Sequence, residues 1–327
     1  MLPAASDKSF HWRFGVLFIA LIAYLPTTAR AQHKIRFAYS SVGPMAAGVW
    51  MAKEAKIFDK YGVQADVVFI SSGPVVVQAL LGGDLQGASA ASNAAIAAMM
   101  NGAPIIGFGA AANKPYHRVF VQPEINRVEE LRGKSMGVTR FGSITDNLTR
   151  LFLRKAGLEN SVTVRQMGGT LEVAAAFQNK QIAAAVTSEL RVLPPSQPKM
   201  LVRLVDLGVP YSMNMLMVSK DYLKRSPDAV ERVLRAYAEG VAFIHHNKEQ
   251  AAKIISKYAR LPEGAGTGEF YRDATTYLDR VPRTDPEAVQ TIVEFMGKKG
   301  APVESFYDNS MVDKLVKEGF FDALYRK

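Results

Sequence analysis

Between Lys34 and Asn93 the chain repeatedly runs from an apolar segment through a loop of small polar residues into a helix. Ile35-Arg36-Phe37-Ala38-Tyr39 leads through Ser40-Ser41-Val42-Gly43-Pro44 to a helix containing Met51-Ala52-Lys53-Glu54. Val67-Val68-Phe69-Ile70 leads through Ser71-Ser72-Gly73-Pro74 to a helix containing Gln78-Ala79-Leu80, and Leu85-Gln86-Gly87-Ala88 opens onto Ser89-Ala90-Ala91-Ser92-Asn93. In a parallel sheet such loops share the carboxyl edge, where open α/β proteins hold ligands. Each loop also enters a helix N-terminus, whose free N–H groups and positive dipole end suit an anionic group. None of these loops carries a nucleophile paired with a base, so the pattern builds a binding cleft.

The scheme recurs about a hundred residues later. Lys134-Ser135-Met136-Gly137-Val138 reads as a strand, followed by Thr139-Arg140-Phe141-Gly142-Ser143 and a helix from Asp146 to Leu153. Val162-Thr163-Val164 precedes Gly168-Gly169-Thr170 and a helix from Glu172 to Phe177, and Ile182-Ala183-Ala184-Ala185-Val186 ends on Thr187-Ser188-Glu189. Ser40 and Arg140 are 100 residues apart, and Ser71 and Gly168 are 97 apart, as are Ala90 and Thr187. That period is too long for a solenoid. It predicts two similar α/β lobes clamping one small molecule. A length of 327 residues also exceeds what a single hydrophobic core usually organises.

The first residues point to export. Gly15 to Leu25 is an apolar run preceded by Lys8, His11 and Arg13, and it ends in Pro26 and the small-residue site Ala29-Arg30-Ala31. This is the order of a cleavable secretory signal, too short to span a bilayer, with cleavage expected after Ala31. The net charge of +10 falls to +8 once Lys8, Arg13, Arg30 and Asp7 are set aside. The remaining basic residues are scattered among acidic ones without aromatic interleaving, a solvated surface and not a nucleic-acid groove. The chain has no cysteine, which excludes disulfides, thiol catalysis and a lipidated N-terminal cysteine. A periplasmic, unanchored protein is expected.

After the repeat, Leu193-Pro194-Pro195-Ser196-Gln197-Pro198 is a breaker-rich loop, and Leu201 to Val205 and Leu216 to Val218 read as strands. The chain is expected to leave the first lobe near Gly109 to His117 and return near Arg203 to Gly208. Residues 32–112 and 206–327 then form lobe 1 and residues 113–205 lobe 2, with helices started by Ser226-Pro227, Asn247, Asp285-Pro286 and Asp308 wrapping lobe 1.

Three further features carry less. Gly133-Lys134-Ser135 lacks the earlier glycine of a phosphate loop, Val128 standing there, and it precedes a strand, so any ATPase is a separate chain. His245-His246 point to different helix faces with no carboxylate partner, and no metal is expected. Trp50 and Phe58 read as core. Arg140 stands apart. It lies in a glycine- and hydroxyl-rich loop, where a guanidinium can hold a carboxylate or sulfonate by paired bonds, or serve as a surface or inter-lobe charge.

The segments Ile35 to Ser41, Ala52-Lys53-Glu54, Ile57-Phe58-Asp59-Lys60-Tyr61-Gly62, Val68 to Gly73 and Gln78 to Asp84 resemble the periplasmic solute-binding proteins of the sulfonate, nitrate and taurine ABC-importer group. That group includes binders of thiamine pyrimidine precursors. Leu131-Arg132-Gly133-Lys134, Gly137 to Ser143 and Gln166-Met167-Gly168-Gly169 resemble the same group, so that the likeness spans about Lys34 to Phe321. It implies an α/β, type II periplasmic binding-protein fold with a two-strand hinge. It further implies a monomer without cofactor that delivers a small, anionic organic solute to a membrane permease. Carried over position by position, the ligand-facing residues are Ser40, Ser41, Ser72, Gly73, Ser92 and Asn93 in the first lobe. In the second they are Arg140, Gly142, Ser143, Gly169, Thr170 and Thr187, with Tyr211 and Asn214 in the returning segment. Glu189 departs from what an anion site wants, since a buried carboxylate repels an anion. Two alternatives stay open: a receptor that presents solute to a sensor protein, and an enzyme on the same fold. Lack of cysteine and the export signal disfavour the enzyme.

Overall fold

The computed structural model describes residues 33–188, 197–260, 265–298 and 300–326. The expected leader with its cleavage site, Glu189, and the loop from Leu193 to Ser196 lie outside the described residues.

The first strand, β1 (His33–Tyr39), alternates at its start, with Lys34 and Arg36 exposed and Ile35 and Phe37 buried, then stays buried through Tyr39. That is the signature of a strand entering a sheet covered on both faces. It is followed by β2 (Val63–Phe69), β3 (Gly87–Ala91) and β4 (Ile105–Ala112). The next three are β5 (Arg118–Val121), β6 (Ser135–Val138) and β7 (Thr163–Gln166). Last come β8 (Ala184–Thr187), β9 (Lys199–Arg203) and β10 (Asn214–Ser219). Two five-stranded sheets result, ordered β2-β1-β3-β10-β4 and β7-β6-β8-β5-β9. In each, three parallel strands are followed by one antiparallel strand and a last strand pairing antiparallel with it. The antiparallel strand is in both cases the one by which the chain arrives from the other sheet. The internal repeat read from sequence is therefore a repeat of topology: β1, β2 and β3 correspond to β6, β7 and β8.

Two details differ from the sequence reading. Ser89 to Ala91 belong to β3, and Ser92 already opens the helix Ser92–Met100, so no loop separates them. All five residues of β3 are buried and small, which lets a central strand pass between helices on both faces and reads locally as a polar turn. Asn247 stands at the N-cap of the helix that follows it, as expected, but its side chain makes no capping bond; its Nδ2 donates backward to Phe243 O at 3.3 Å. Asp285 does cap its helix, accepting from Glu287 N at 2.9 Å. No helix among the described residues is long and apolar enough to cross a membrane.

Two connections join the sheets, one from β4 to β5 and one from β9 to β10. They run side by side, Leu204 N donating to His117 O and Tyr211 N to Asn113 O, each at 2.9 Å. Asn113 anchors the first connection to the C-terminal region through Asp279 Oδ2 and Arg283 O, both at 2.9 Å. Burial pushes the Asp279 carboxyl up to about 6 from 3.8, against the lowering effect of the Asn113 amide. A carboxyl whose pKa is raised on folding stabilises the protein fully below its unfolded pKa and loses that contribution as pH climbs through the folded one. Asp279→Asn should therefore gain stability relative to wild type between pH 4 and pH 7, on the order of 2 kcal/mol. Denaturant midpoints of both proteins across that range check this, and parallel curves would contradict it.

Candidate functional site

A cavity of about 90 Å³ lies where the carboxyl edges of the two sheets meet. Ser40 and Ser41 reach it from the end of β1, Ser71, Ser72 and Gly73 from the end of β2, and Asn214 from the start of β10. From the second sheet come Thr139, Ser143 and Thr145 after β6, Thr170 and Leu171 after β7, and Thr187 and Ser188 at β8. Tyr116 and His117, on the first connection between the sheets, complete the wall. The N-terminal turns of three helices, Gly73–Leu81, Ile144–Lys155 and Thr170–Gln178, thus face one space.

Local sequence fixes these turns closely. Ser143 caps its helix, its Oγ accepting from Asp146 N at 3.3 Å, while Asp146 Oδ2 accepts from Gly142 N at 2.8 Å. Such reciprocal capping is worth about 1 kcal/mol per cap and locks the entry angle of the loop. Gly73 opens its helix where a Cβ would stand 2.7 Å from Ala91 Cβ, so this turn approaches β3 as only glycine allows. Immediately before it, Ser72 adopts φ +82°, in the left-handed half of backbone space. A serine held there costs roughly 1–3 kcal/mol, and strain of this kind collects at ligand sites.

The described wall of the cavity is uncharged. Among the described residues no Lys, Arg, Asp or Glu lines it. His117 is also uncharged, because burial, with the neighbouring Arg118 charge adding to it, pushes the imidazole down to about 3. Burial likewise holds the Tyr116 phenol well above its usual value. Two buried polar atoms of the wall have no partner, Ser72 Oγ and His117 Nδ1. Groups of this sort are rare in folded proteins and each calls for a ligand or a water.

Of the fourteen residues expected at the ligand, Ser40, Ser41, Ser72, Gly73, Ser143, Thr170, Thr187 and Asn214 line the cavity. The other six lie around it. Ser92 Oγ is buried and bonded to Ser212 Oγ at 2.9 Å. Asn93 Nδ2 donates to Gly142 O at 2.8 Å and Ser143 O at 3.3 Å, so both Asn93 and Gly142 serve a bridge between the two halves of the cleft. Tyr211 Oη donates to Asn147 Oδ1 at 2.8 Å, a second bridge. Gly169 is the N-cap of the helix Thr170–Gln178, with the Glu172 carboxylate folded against it. Arg140 is half-buried away from the cavity wall, its Nε without a partner.

Tyr116, His117, Ser188, Phe69 and Leu171 are among the lining residues outside those fourteen. The first two were legible: a segment that crosses between two lobes runs along the floor of their cleft, and Tyr116-His117 are its polar aromatic side chains. Arg118 follows them, its guanidinium paired with Asp273 and donating to Ser188 O at 2.7 Å. That bond fixes the β8 end of the wall. The His245-His246 pair is elsewhere, His245 edge-on and His246 tilted against Tyr325, with His246 Nε2 3.0 Å from Leu324 O.

Two sheets of this order with a cleft between their carboxyl edges define the periplasmic binding-protein fold, and solved structures agree. The periplasmic aliphatic sulphonate binding protein SsuA of Escherichia coli superposes with a TM-score of 0.64 at 19% identity, covering 88% of this chain and 87% of its own. The periplasmic nitrate-binding protein NrtA of Synechocystis gives 0.69 at 13% identity, covering 87% and 88%. A third structure with this fold, DszB bound to biphenyl-2-sulfinic acid, gives 0.63 at 15% identity, covering 88% and 99%. A protein of Brucella abortus that carries a provisional binding-protein name is 26% identical over 247 residues, 73% of this chain and 76% of its own length. Residues 44–251 match the family described as NMT1/THI5 like, and the chain belongs to that family.

Proposed function

We propose that this protein is the solute receptor of an ABC import system, capturing a small organic solute with an anionic head group and presenting it to a membrane permease served by a separate ATPase. It acts in the periplasm after removal of residues 1–31, as two lobes, residues 32–112 with 206–327 and residues 113–205. The observation that carries this is one neutral cavity receiving hydroxyls and helix N-terminal turns from both sheets, with Ser72 Oγ and His117 Nδ1 left unpaired. Neutral hydroxyls and helix N-termini can hold an anion without a counter-charge, since the helix ends supply partial positive charge. The sulphonate, nitrate and binding-protein names of the relatives support the same reading. Binding is favoured over catalysis because His117, the one imidazole of the wall among the described residues, leaves Nδ1 without a partner and is held uncharged by burial. The bonds Asn93–Gly142 and Tyr211–Asn147 fit a closed state, because each joins a group from one half to a group from the other.

A thermal-shift panel of small sulfonates, carboxylates, amino acids and pyrimidines tests the proposal. A member at 100 times its dissociation constant should add about 2.7 kcal/mol of stability, and X-ray scattering should show contraction with it. Stabilisation confined to cationic members would overturn the anion assignment. Because Arg140 lies off the wall, Arg140→Ala should leave affinity for the hit within about threefold, less than 1 kcal/mol. A tenfold loss would bring Arg140 back to the ligand.

A further inference from the structure

We infer that the solute is amphiphilic: beyond its polar head it carries an apolar portion that sits at the cavity mouth between Phe69 and Leu171. This rests on the reading that the cavity is the solute site. Phe69, at the end of β2, and Leu171, at the start of the helix Thr170–Gln178, both line the cavity, one from each half. Yet they remain 48% and 67% exposed. Large hydrophobic side chains left this open are unusual in the described residues, and two more flank the same seam, Val75 at 37% and Phe141 at 52%. Their neighbours Pro74 and Gly142 meet across it, a Cβ on Gly142 falling 3.8 Å from Pro74 Cγ. Apolar side chains left exposed around a polar cavity mark a binding surface.

Phe69 is also held in place from below. Its ring lies 5.4 Å from that of Tyr39, which sits 5.8 Å edge-on to the buried Trp50. A ring supported in this way presents apolar area at little entropic cost, as a rigid anchor does in a binding pocket. The lining holds both kinds of group, Ser72, His117 and Tyr116 among its polar residues and Phe69, Leu171, Ile144 and Ala174 among its apolar ones. A solute with only a polar head would leave Phe69 and Leu171 facing water across the mouth.

The test is calorimetric titration of the purified protein with three matched pairs: methanesulfonate and benzenesulfonate, acetate and benzoate, acetamide and benzamide. The phenyl member of at least one pair should bind tenfold or more tighter than its methyl counterpart. In Phe69→Ser and Leu171→Ser, changes at positions 48% and 67% exposed, that preference should fall to within threefold. A preference seen only in the amide pair would sink the anionic head group while upholding the apolar end. Equal affinities within every pair, no binding by any phenyl member, or a preference surviving both substitutions would overturn the inference and leave the rim to a partner protein.

Discussion

Replacing Asp273 with alanine should destabilise the protein by about 3–5 kcal/mol, the range expected when one partner of a buried ion pair is removed. Arg118 donates from both terminal nitrogens to the Asp273 carboxylate, at 2.8 and 2.7 Å, and the two side chains are 10% and 8% exposed. A guanidinium cannot shed its proton, so alanine leaves a charge stranded in the interior. Glu269, 3.5 Å away but 52% exposed, offsets part of this and places the expectation toward the lower end. Asp273→Asn keeps the shape without the charge and should cost less. Arg118→Met combined with Asp273→Leu should recover much of the loss, as apolar replacements of buried pairs often do. The pair also matters to the site, because Arg118 sits on β5 and Asp273 on the helix Ala265–Tyr277, while Arg118 Nη1 holds Ser188 O in the cavity wall. Solute affinity should drop with stability in Asp273→Ala. Denaturant titration decides the matter, and a loss below 1 kcal/mol would show that water reaches the pair.

The ion pair was invisible in the sequence, and the reason separates what could be read from what could not. Strand–loop–helix passages are local: apolar runs, serine- and glycine-rich turns and helical spacing all fall within a dozen residues, so the sheets and their repeat were legible. The ends of β1, β2 and β8 followed, and with them Ser40, Ser41, Ser72 and Thr187. Arg118 and Asp273 are 155 residues apart, and nothing local marks either as the other's partner. Arg140 shows the complementary limit. Its loop was placed correctly beside the cleft, since Thr139 and Ser143 reach the wall, but direction within a turn depends on tertiary contacts. Ser92 and Asn93 show the same limit, because β3 runs to Ala91, three residues further on its carboxyl side than its small polar residues suggest. Their side chains bond to protein groups instead.

Gly240 is a second feature that no local pattern discloses, and Gly240→Leu should destabilise by about 3 kcal/mol or more, at or above the usual range for overpacking. The helix Pro227–His246 was legible from Val230, Val233, Leu234, Tyr237 and Val241, all buried as their spacing requires. A glycine in the middle of such a helix forfeits roughly 1 kcal/mol of propensity relative to alanine, so it needs a packing reason. That reason is the helix Ala47–Glu54, which crosses so closely that a Cβ on Gly240 would lie 2.2 Å from Gly48 O and 3.1 Å from Ala52 N. The obstacle is backbone, which cannot rotate aside. Gly48 faces back, but there a Cβ meets side-chain atoms, Tyr237 Cε2 at 2.8 Å and Val241 Cγ2 at 2.9 Å, which have some freedom to move. Gly48→Ala should therefore cost less than Gly240→Leu. The consequence reaches the site because the helix Ala47–Glu54 continues directly from the turn Pro44–Ala46, which follows the cavity residues Ser40, Ser41 and Gly43. There a Cβ on Gly43 would stand 3.2 Å from Ser188 Oγ and 3.3 Å from Tyr116 Oη. Pushing the two helices apart moves this loop relative to its partners, so solute affinity should weaken in Gly240→Leu even in the fraction that remains folded. Unfolding curves measured beside calorimetric titration separate the two effects. A variant within 1 kcal/mol of wild type with unchanged affinity would mean that the helices can slide without disturbing the cleft.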